Sequence, residues 1–205
     1  MKKIMFNDRY GLTQAVIERR KTMTRRIVPW DLTEQWMEFV SDAPSVGGVY
    51  VHESEKDFYE REAPRYKDGE IVAVAQKYYY VVSSECDVPV DGMDRTPGWR
   101  NKMFVRADLM PHQIRITGIK CERLQDISDA DCLKEGIFVN EYFGNGKKCH
   151  HYGFDGFFNG TEGWFARGWY NTPREAFASL IDKVSGKGTW ASNPWIVCYE
   201  FELVK

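Results

Sequence analysis

The sequence predicts an α+β fold, with several mostly antiparallel strands that curl into a small barrel and short helices over its openings. Two apolar runs alternate with polar residues, at 113–123 and 195–203, as half-buried strands do. Two segments begin with strong helix-capping residues, Ser128 and Thr172. Regular βαβ alternation and a glycine-rich phosphate loop are both missing, which disfavours dinucleotide-binding and P-loop folds.

The first half of the chain is predicted to open with a short helix from Gly11 to Lys21, which would place Lys21 and Thr24 at or just past its C-terminus. Residues 31–66 are mixed in composition and contain a Pro44-to-Gly48 turn signal, so we expect a hairpin or an irregular excursion. The β-rich stretch from Glu70 to Val82 predicts a long strand or a pair of strands, and 89–99 predicts a loop.

The second half carries clearer signals. A strand is predicted from Gln113, with a bulge at Gly118 before the pattern continues to Arg123. A helix capped by Ser128 should end at Gly136, and a second helix should begin at Thr172-Pro173. The alternation from Trp195 to Leu203 predicts a terminal strand.

Composition limits the function classes. The 28 Lys and Arg residues are balanced by 30 Asp and Glu, so any affinity for nucleic acid must come from a local patch. Five cysteines without CxxC spacing are typical of reduced thiols in a cytoplasmic protein. No signal peptide or membrane-spanning stretch is evident, so no membrane partner is expected. We expect one domain over 1–205 with insertions at about 31–66 and 137–170.

A dense cluster of positive charge lies near the start of the chain. Five of the eight residues from 19 to 26 are basic: Arg19, Arg20, Lys21, Arg25 and Arg26. Guanidinium groups bind phosphate in a bidentate manner, so the cluster predicts an anionic ligand. The alternatives are a solvated charged face and compensation of a helix C-terminus.

The chain resembles ASCH-domain proteins, a branch of the PUA-like barrels, in the form seen in phage and prophage proteins. The resemblance rests on four segments: 15–26, Arg123-Leu124-Gln125-Asp126-Ile127-Ser128, Lys134-Glu135-Gly136 and Asn193-Pro194-Trp195. It implies a PUA-like barrel in which Lys21 and Thr24 face a cleft for RNA, a nucleotide or a modified nucleoside. Some members remove the acetyl group from N4-acetylcytidine with a lysine, a threonine three residues later and a strand glutamate. The resemblance places that glutamate at Arg115, which would add positive charge and favours binding over hydrolysis.

If the protein is an enzyme, Thr24 is the candidate nucleophile and Lys21 the candidate base. The neighbouring arginines would lower the pKa of Lys21 by like-charge repulsion. Arg115 stays protonated and cannot act as a base, so Glu122 or Asp126 would have to supply the carboxylate.

Further candidates lie towards the C-terminus. Trp195 could stack on a base or plug the core, and Asn193 could bind a base edge or cap a turn. Cys149-His150-His151 has no second ligand pair nearby, so no metal and no cofactor is predicted. The aromatic stretch 141–170 could stack bases, form a satellite core or bind a host protein. Three hypotheses therefore remain: a binding module, a nucleoside amidohydrolase and a phage accessory protein with a protein partner.

Overall fold

The fold is built on a mixed five-stranded sheet with short helices packed around it. The computed structural model describes residues 1–46, 49–50, 52–83, 92–144, 146–155 and 169–205. Its strands are β1 (Lys3–Ile4), β2 (Met23–Ile27), β3 (Ser45–Val46), β4 (Val49–Tyr50), β5 (Ile71–Val74), β6 (Gln113–Arg123), β7 (Phe138–Gly144), β8 (Lys147–Gly153) and β9 (Trp195–Leu203). Its α-helices are α1 (Leu12–Ile17), α2 (Trp30–Ser41), α3 (Glu55–Glu62), α4 (Tyr78–Ser83), α5 (Asp129–Lys134), α6 (Pro173–Ser185) and α7 (Thr189–Ser192).

The order of the main sheet is β1-β5-β6-β9-β2. The pairing of β1 with β5 is parallel and the other three pairings are antiparallel, which confirms the α+β class. Within the described residues, the edge strands β1 and β2 share no backbone hydrogen bond, so the predicted closed barrel is not found. A side chain bridges the gap instead, because Arg26 Nη2 on β2 donates to the carbonyl of Met5, just after β1, at 2.5 Å.

The long central pair β6 and β9 follows the predicted pattern. Ile114 and Ile116 are fully buried, and the register shifts between Ile116 and Gly118. This shift is the predicted bulge, which restores inward-facing positions such as Cys121 further along β6. Both strands therefore present an apolar face to the main core.

The predicted caps of α5 and α6 are also confirmed. The Ser128 side chain accepts from the Asp131 backbone N–H, and the Thr172 side chain accepts from that of Glu175. Pro173 occupies the first turn of α6, where its missing N–H costs nothing. These caps satisfy backbone donors that have no partner within the helix.

Expectations about the first half were met only in part. The hairpin predicted within 31–66 is present as the short antiparallel pair β3–β4, but helices α2 and α3 on either side of it were not predicted. The aromatic rings of Trp36 and Phe39 on α2 pack against Phe58 on α3. The stretch to Val82 is a strand only as far as Val74, and α4 follows. Tyr78 and Val81 lie three residues apart and are both buried, which is helical spacing. The first helix ends at Ile17, and Arg19 takes a left-handed φ of 61°.

The described part of 137–170 contains the β7–β8 hairpin, with Phe143 near its tip 83% exposed. Some expectations concern residues outside the described part of the chain: Cys86, the start of the 89–99 loop, Phe157, Phe158, Trp164 and Phe165. The rest of the 89–99 segment consists of short turns of 3-10 helix, at Met93–Arg95 and Pro97–Trp99. No described helix is both long and apolar enough to cross a membrane.

Candidate functional site

A cavity of about 260 Å³ lies between β2 and α6. One wall is polar and is formed by the segment around β2 together with the end of α5. The opposite wall is mostly apolar and comes from α6 and from the segment after β1. The residues that line it include Lys21, Thr24, Arg25, Arg26, Glu135, Phe6, Phe177, Leu180 and Ile181.

Lys21 is held in this cavity by backbone hydrogen bonds on both sides. Its own N–H donates to the carbonyl of Ala15 at 2.9 Å, which closes the turn after α1. The next residue, Thr22, donates to the carbonyl of Lys134 at 2.9 Å, which ties the segment to the end of α5. The Lys21 side chain is only 2% exposed.

The partner of Lys21 is Glu135. Lys21 Nζ donates to Glu135 Oε2 at 2.6 Å and to the Glu135 backbone carbonyl at 2.7 Å. Glu135 is the C-cap of α5, and Gly136 follows with φ 102°. A Cβ at Gly136 would lie 3.3 Å from Leu12 Cδ2, so glycine allows the end of α5 to approach α1 closely.

Arg25 joins the same buried network of charges. Its Nη2 donates to Glu122 Oε1 at 2.7 Å, and its Nη1 donates to Glu135 Oε1 at 3.0 Å. Asp131 Oδ2 lies 3.3 Å from Nη2. Glu135 therefore links Lys21 to Arg25, with one carboxylate oxygen on each.

This pairing changes the electrostatic character of the predicted basic cleft. Burial lowers the pKa of Lys21, and the charges of Arg26 and Arg25 act in the same direction, while Glu135 opposes them. Burial acts to lower the pKa of Arg25 as well. The nearby carboxylates of Glu135 and Glu122 have the larger effect, so the pKa of Arg25 is raised. The pKa of Lys21 is thus lowered while the pKa of its neighbour Arg25 is raised.

Thr24 lies on β2 opposite Tyr199 of β9 and is 5% exposed. Its side chain lines the same cavity as Lys21 and Glu135. Among the described residues its hydroxyl makes no hydrogen bond, so it is available to a molecule in the cavity. The predicted Lys21 and Thr24 pair is therefore brought to one site.

The other basic residues of 19–26 have different surroundings. Arg20 is exposed and pairs with Glu18 at 2.6 Å and with Asp155 at 3.2 Å, and Arg19 is exposed beside it. Neither of them lines the cavity. Arg26 does line it, with its guanidinium 5.9 Å from the centre of the Phe6 ring. Of the five basic residues, Lys21, Arg25 and Arg26 thus belong to the site.

Besides Arg19 and Arg20, three predicted site residues lie outside the cavity. Arg115 is on the outward face of β6, where it pairs with Glu202 at 3.0 Å, because the inward positions belong to Ile114 and Ile116. The expectation that Arg115 contributes to the cleft is therefore corrected. Asn193 follows α7 with a left-handed φ of 45°, and its Oδ1 accepts from the distant Gln125 N–H at 2.7 Å. Trp195 packs against the Tyr59 ring and beneath Arg123.

The sequence interpretation missed Glu135 as a site residue. Of the two carboxylates weighed, Glu122 does reach the network through Arg25, whereas Asp126 does not line the cavity. A signal for Glu135 existed, because an acidic residue at the C-terminal end of a helix is disfavoured by the helix dipole. Such a position requires a compensating positive charge, and here Lys21 and Arg25 supply it.

Within the described residues, no group of three His, Cys, Asp or Glu side chains is arranged to hold a metal ion. His150 and His151 lie on β8, and the Cys149 thiol points to the carbonyl of Lys147. Comparisons with family models, curated proteins and solved structures find no match for this chain.

Proposed function

We propose that this chain is an ASCH-like amidohydrolase that removes an acyl group from the exocyclic amine of a modified nucleoside such as N4-acetylcytidine. In this proposal the open, curled sheet corresponds to a PUA-like barrel whose gap holds the substrate. The observation that carries the proposal is the 2.6 Å contact of buried Lys21 with the carboxylate of Glu135, in the cavity that Thr24 lines.

The first chemical step is acyl transfer to Thr24. Lys21 becomes a neutral amine by releasing its proton, which the lowered pKa of Lys21 favours. The amine then takes the proton of the Thr24 hydroxyl while Oγ1 attacks the amide carbonyl carbon. The C–N bond breaks, Lys21 returns the proton to the departing nitrogen, and an acyl-threonine ester remains.

The second step is hydrolysis of that ester. Lys21 deprotonates a water molecule, which attacks the ester carbonyl, and the bond between the acyl carbon and Thr24 Oγ1 breaks. The proton passes to Oγ1, so Thr24 regains its hydroxyl and the acyl group leaves as a carboxylic acid. Glu135 keeps Lys21 oriented in both steps, and Arg25 keeps Glu135 oriented through its 3.0 Å contact.

The lining of the cavity suits an aromatic base, which has apolar faces and polar edges. Phe177, Leu180 and Ile181 provide an apolar wall opposite the polar groups. Ligand sites commonly combine apolar walls with a few well-placed polar groups, and the volume of about 260 Å³ accommodates a small substrate.

Binding of RNA, a nucleotide or a modified nucleoside without hydrolysis is the second candidate. It is favoured by Arg26, which lines the cavity and has no carboxylate partner among the described residues. It is disfavoured by the pairing of Lys21 and Arg25 with carboxylates, because paired charges attract an anion weakly.

The test is turnover of N4-acetylcytidine followed by chromatography. Thr24→Ala should lower kcat/KM by about 10³-fold or more, since it removes the nucleophile. Thr22→Ala is the matched control, because the described contacts of this nearby threonine are made by its backbone. Absence of turnover by the wild-type chain, or full activity of Thr24→Ala, would contradict the proposed reaction.

A further inference from the structure

A second cavity of about 260 Å³ adjoins the first and shares Arg26 and Ile27 with it. We call it the adjoining groove. It lies where the edge strands β1 and β2 face each other, without a backbone hydrogen bond between them in the described residues. Its walls are formed by Lys3, Met5, Arg26, Ile27, Pro29, Ala63, Arg65, Tyr66, Val197 and Tyr199.

Positive charge in the adjoining groove is not compensated by carboxylates. Arg26 and Arg65 both line it, and neither has an ion-pair partner in the part of the chain that the structure describes. Other arginines, by contrast, are paired: Arg25 with Glu122 and Glu135, and Arg115 with Glu202. Two like charges on one groove repel each other unless an anion lies between them.

The two guanidinium groups keep most of their donors free for a ligand. Arg26 uses Nη2 for the carbonyl of Met5, and a guanidinium carries five N–H donors in all. The position of Arg65 is set by its backbone, whose N–H donates to Tyr199 Oη at 2.8 Å, and its guanidinium lies 5.9 Å from the centre of the Tyr66 ring. Tyr66 Oη in turn donates to the carbonyl of Lys3 at 3.0 Å. The groove thus has fixed aromatic walls and two bidentate donors.

We propose that Arg26 and Arg65 bind a phosphate group of the substrate, so that the substrate is a nucleotide rather than a free nucleoside. This inference rests on the proposed function, because Arg26 is the wall shared by the reacting cavity and the groove. A base beside Thr24 and a phosphate between Arg26 and Arg65 would then occupy two connected sites. Arginine is well suited to the second site because its planar fork matches phosphate oxygens.

The experiment is calorimetric titration of the Thr24→Ala chain with N4-acetylcytidine and with its 5′-monophosphate. The monophosphate should bind about tenfold or more tightly than the nucleoside, as expected for charge-assisted hydrogen bonds. Arg65→Ala in the same background should remove this advantage. Arg106→Ala is the matched control and should retain it, since Arg106 is exposed and pairs with Asp108 outside the groove. Cytidine and cytidine 5′-monophosphate repeat the comparison on the wild-type chain.

Equal affinities for the two compounds, an advantage that survives Arg65→Ala, or no binding of any of these probes would overturn the phosphate site. The proposed function is decided separately by turnover. Turnover of N4-acetylcytidine, together with equal affinities for the nucleoside and the monophosphate, would contradict the phosphate site but not the hydrolase. If the monophosphate binds tightly in an Arg65-dependent manner but neither compound is turned over, the hydrolase is contradicted and the phosphate site is not.

A short acetylated oligoribonucleotide identifies the source of the phosphate. Tighter binding than the monophosphate, with the same dependence on Arg65, assigns the groove to an RNA backbone. Equal or weaker binding assigns it to a free nucleotide. Both outcomes support a phosphate site. In both, the difference in affinity between the phosphate-containing compound and the nucleoside should decrease as salt is added.

Discussion

Glu135 is the residue on which the chemistry of the cavity depends most, because its carboxylate contacts both Lys21 and Arg25. Arg25 has Glu122 and Asp131 as further partners, whereas Lys21 has Glu135 as its one carboxylate partner among the described residues. Removal of the Glu135 charge should therefore affect Lys21 more than Arg25.

At a pH where Lys21 is protonated, Glu135→Gln should lower the free energy of unfolding by about 3 kcal/mol or more, because it leaves a buried ammonium group without its counter-charge. Urea denaturation measures this change. The double variant Lys21→Met with Glu135→Gln should recover part of the loss, since both charges are then absent. If the double variant were as unstable as the sum of the two single variants, the two side chains would not be coupled as the structure indicates.

The lowered pKa of Lys21 predicts a pH dependence of stability. Between that lowered value and about 10.4, the ordinary lysine pKa, the unfolded chain binds the Lys21 proton while the folded chain has released it. The free energy of unfolding contributed by this group therefore rises with pH across that window and is lost as pH falls through the folded value. The difference in stability between wild type and Lys21→Met should grow with pH in denaturation series between pH 7 and 9.5. A constant difference would show that Lys21 has an ordinary pKa.

At the scale of single elements, the end of α5 determines where Glu135 lies. The helix has six residues, is capped by Ser128 and ends at Glu135, and the chain then turns at Gly136 with φ 102°. The backbone of Thr22 binds the last helical carbonyl, that of Lys134. The geometry of the site thus depends on one glycine and on one backbone hydrogen bond between the residue before β2 and the end of α5.

Gly136→Ala should destabilise the protein by at least about 1 kcal/mol more than Gly69→Ala. Both glycines have positive φ, but a Cβ at Gly136 meets Leu12 at 3.3 Å, whereas a Cβ at Gly69 meets nothing within 4 Å. The free energies of unfolding of the two variants, measured by thermal or urea denaturation, distinguish crowding of the added methyl group against Leu12 from backbone strain. Equal destabilisation would mean that α1 yields to the added methyl group without cost.

At the scale of the whole molecule, the sheet is open where function is proposed. The gap between β1 and β2 is bridged by Arg26, and both cavities border it. A closed barrel would pair these two edges through backbone hydrogen bonds. The open arrangement instead leaves the side chains of both edges facing a ligand-sized space.

Burial in the core keeps three cysteine thiols protonated to higher pH than in the unfolded chain. Burial raises the pKa of Cys121 to about 11 and those of Cys132 and Cys198 to about 12. An unfolded thiol loses its proton near pH 8.5, so the stability that a buried neutral thiol provides is present below that pH. It is lost as pH rises towards the folded value. The stability of wild type relative to Cys198→Ala should therefore fall above about pH 8.5 in urea denaturation, and a difference independent of pH would contradict the burial of this thiol.

The sequence by itself determined the elements whose signals are local. The bulge at Gly118, the caps Ser128 and Thr172 and the terminal strand follow from the backbone needs of single residues and from the alternation of side chains. The grouping of Lys21 with Thr24 was expected as well, as an implication of the resemblance to ASCH-domain proteins. Tyr78 to Val82 was misassigned because aromatic and β-branched residues favour strands. The buried residues Tyr78 and Val81 of this segment lie at helical spacing in a small second core.

Only the tertiary structure decided which charges meet. Glu135 is 114 residues from Lys21 in the chain, and the contact arises because α5 packs against the turn after α1. Arg115 lies on the outward face of β6, a consequence of strand register and not of charge. Spacing along a sequence predicts which residues are neighbours on one helix or strand, whereas contacts between elements depend on how the elements pack. Here that packing brings the carboxylate of Glu135 to Lys21. It leaves Arg26 and Arg65 without a carboxylate partner among the described residues.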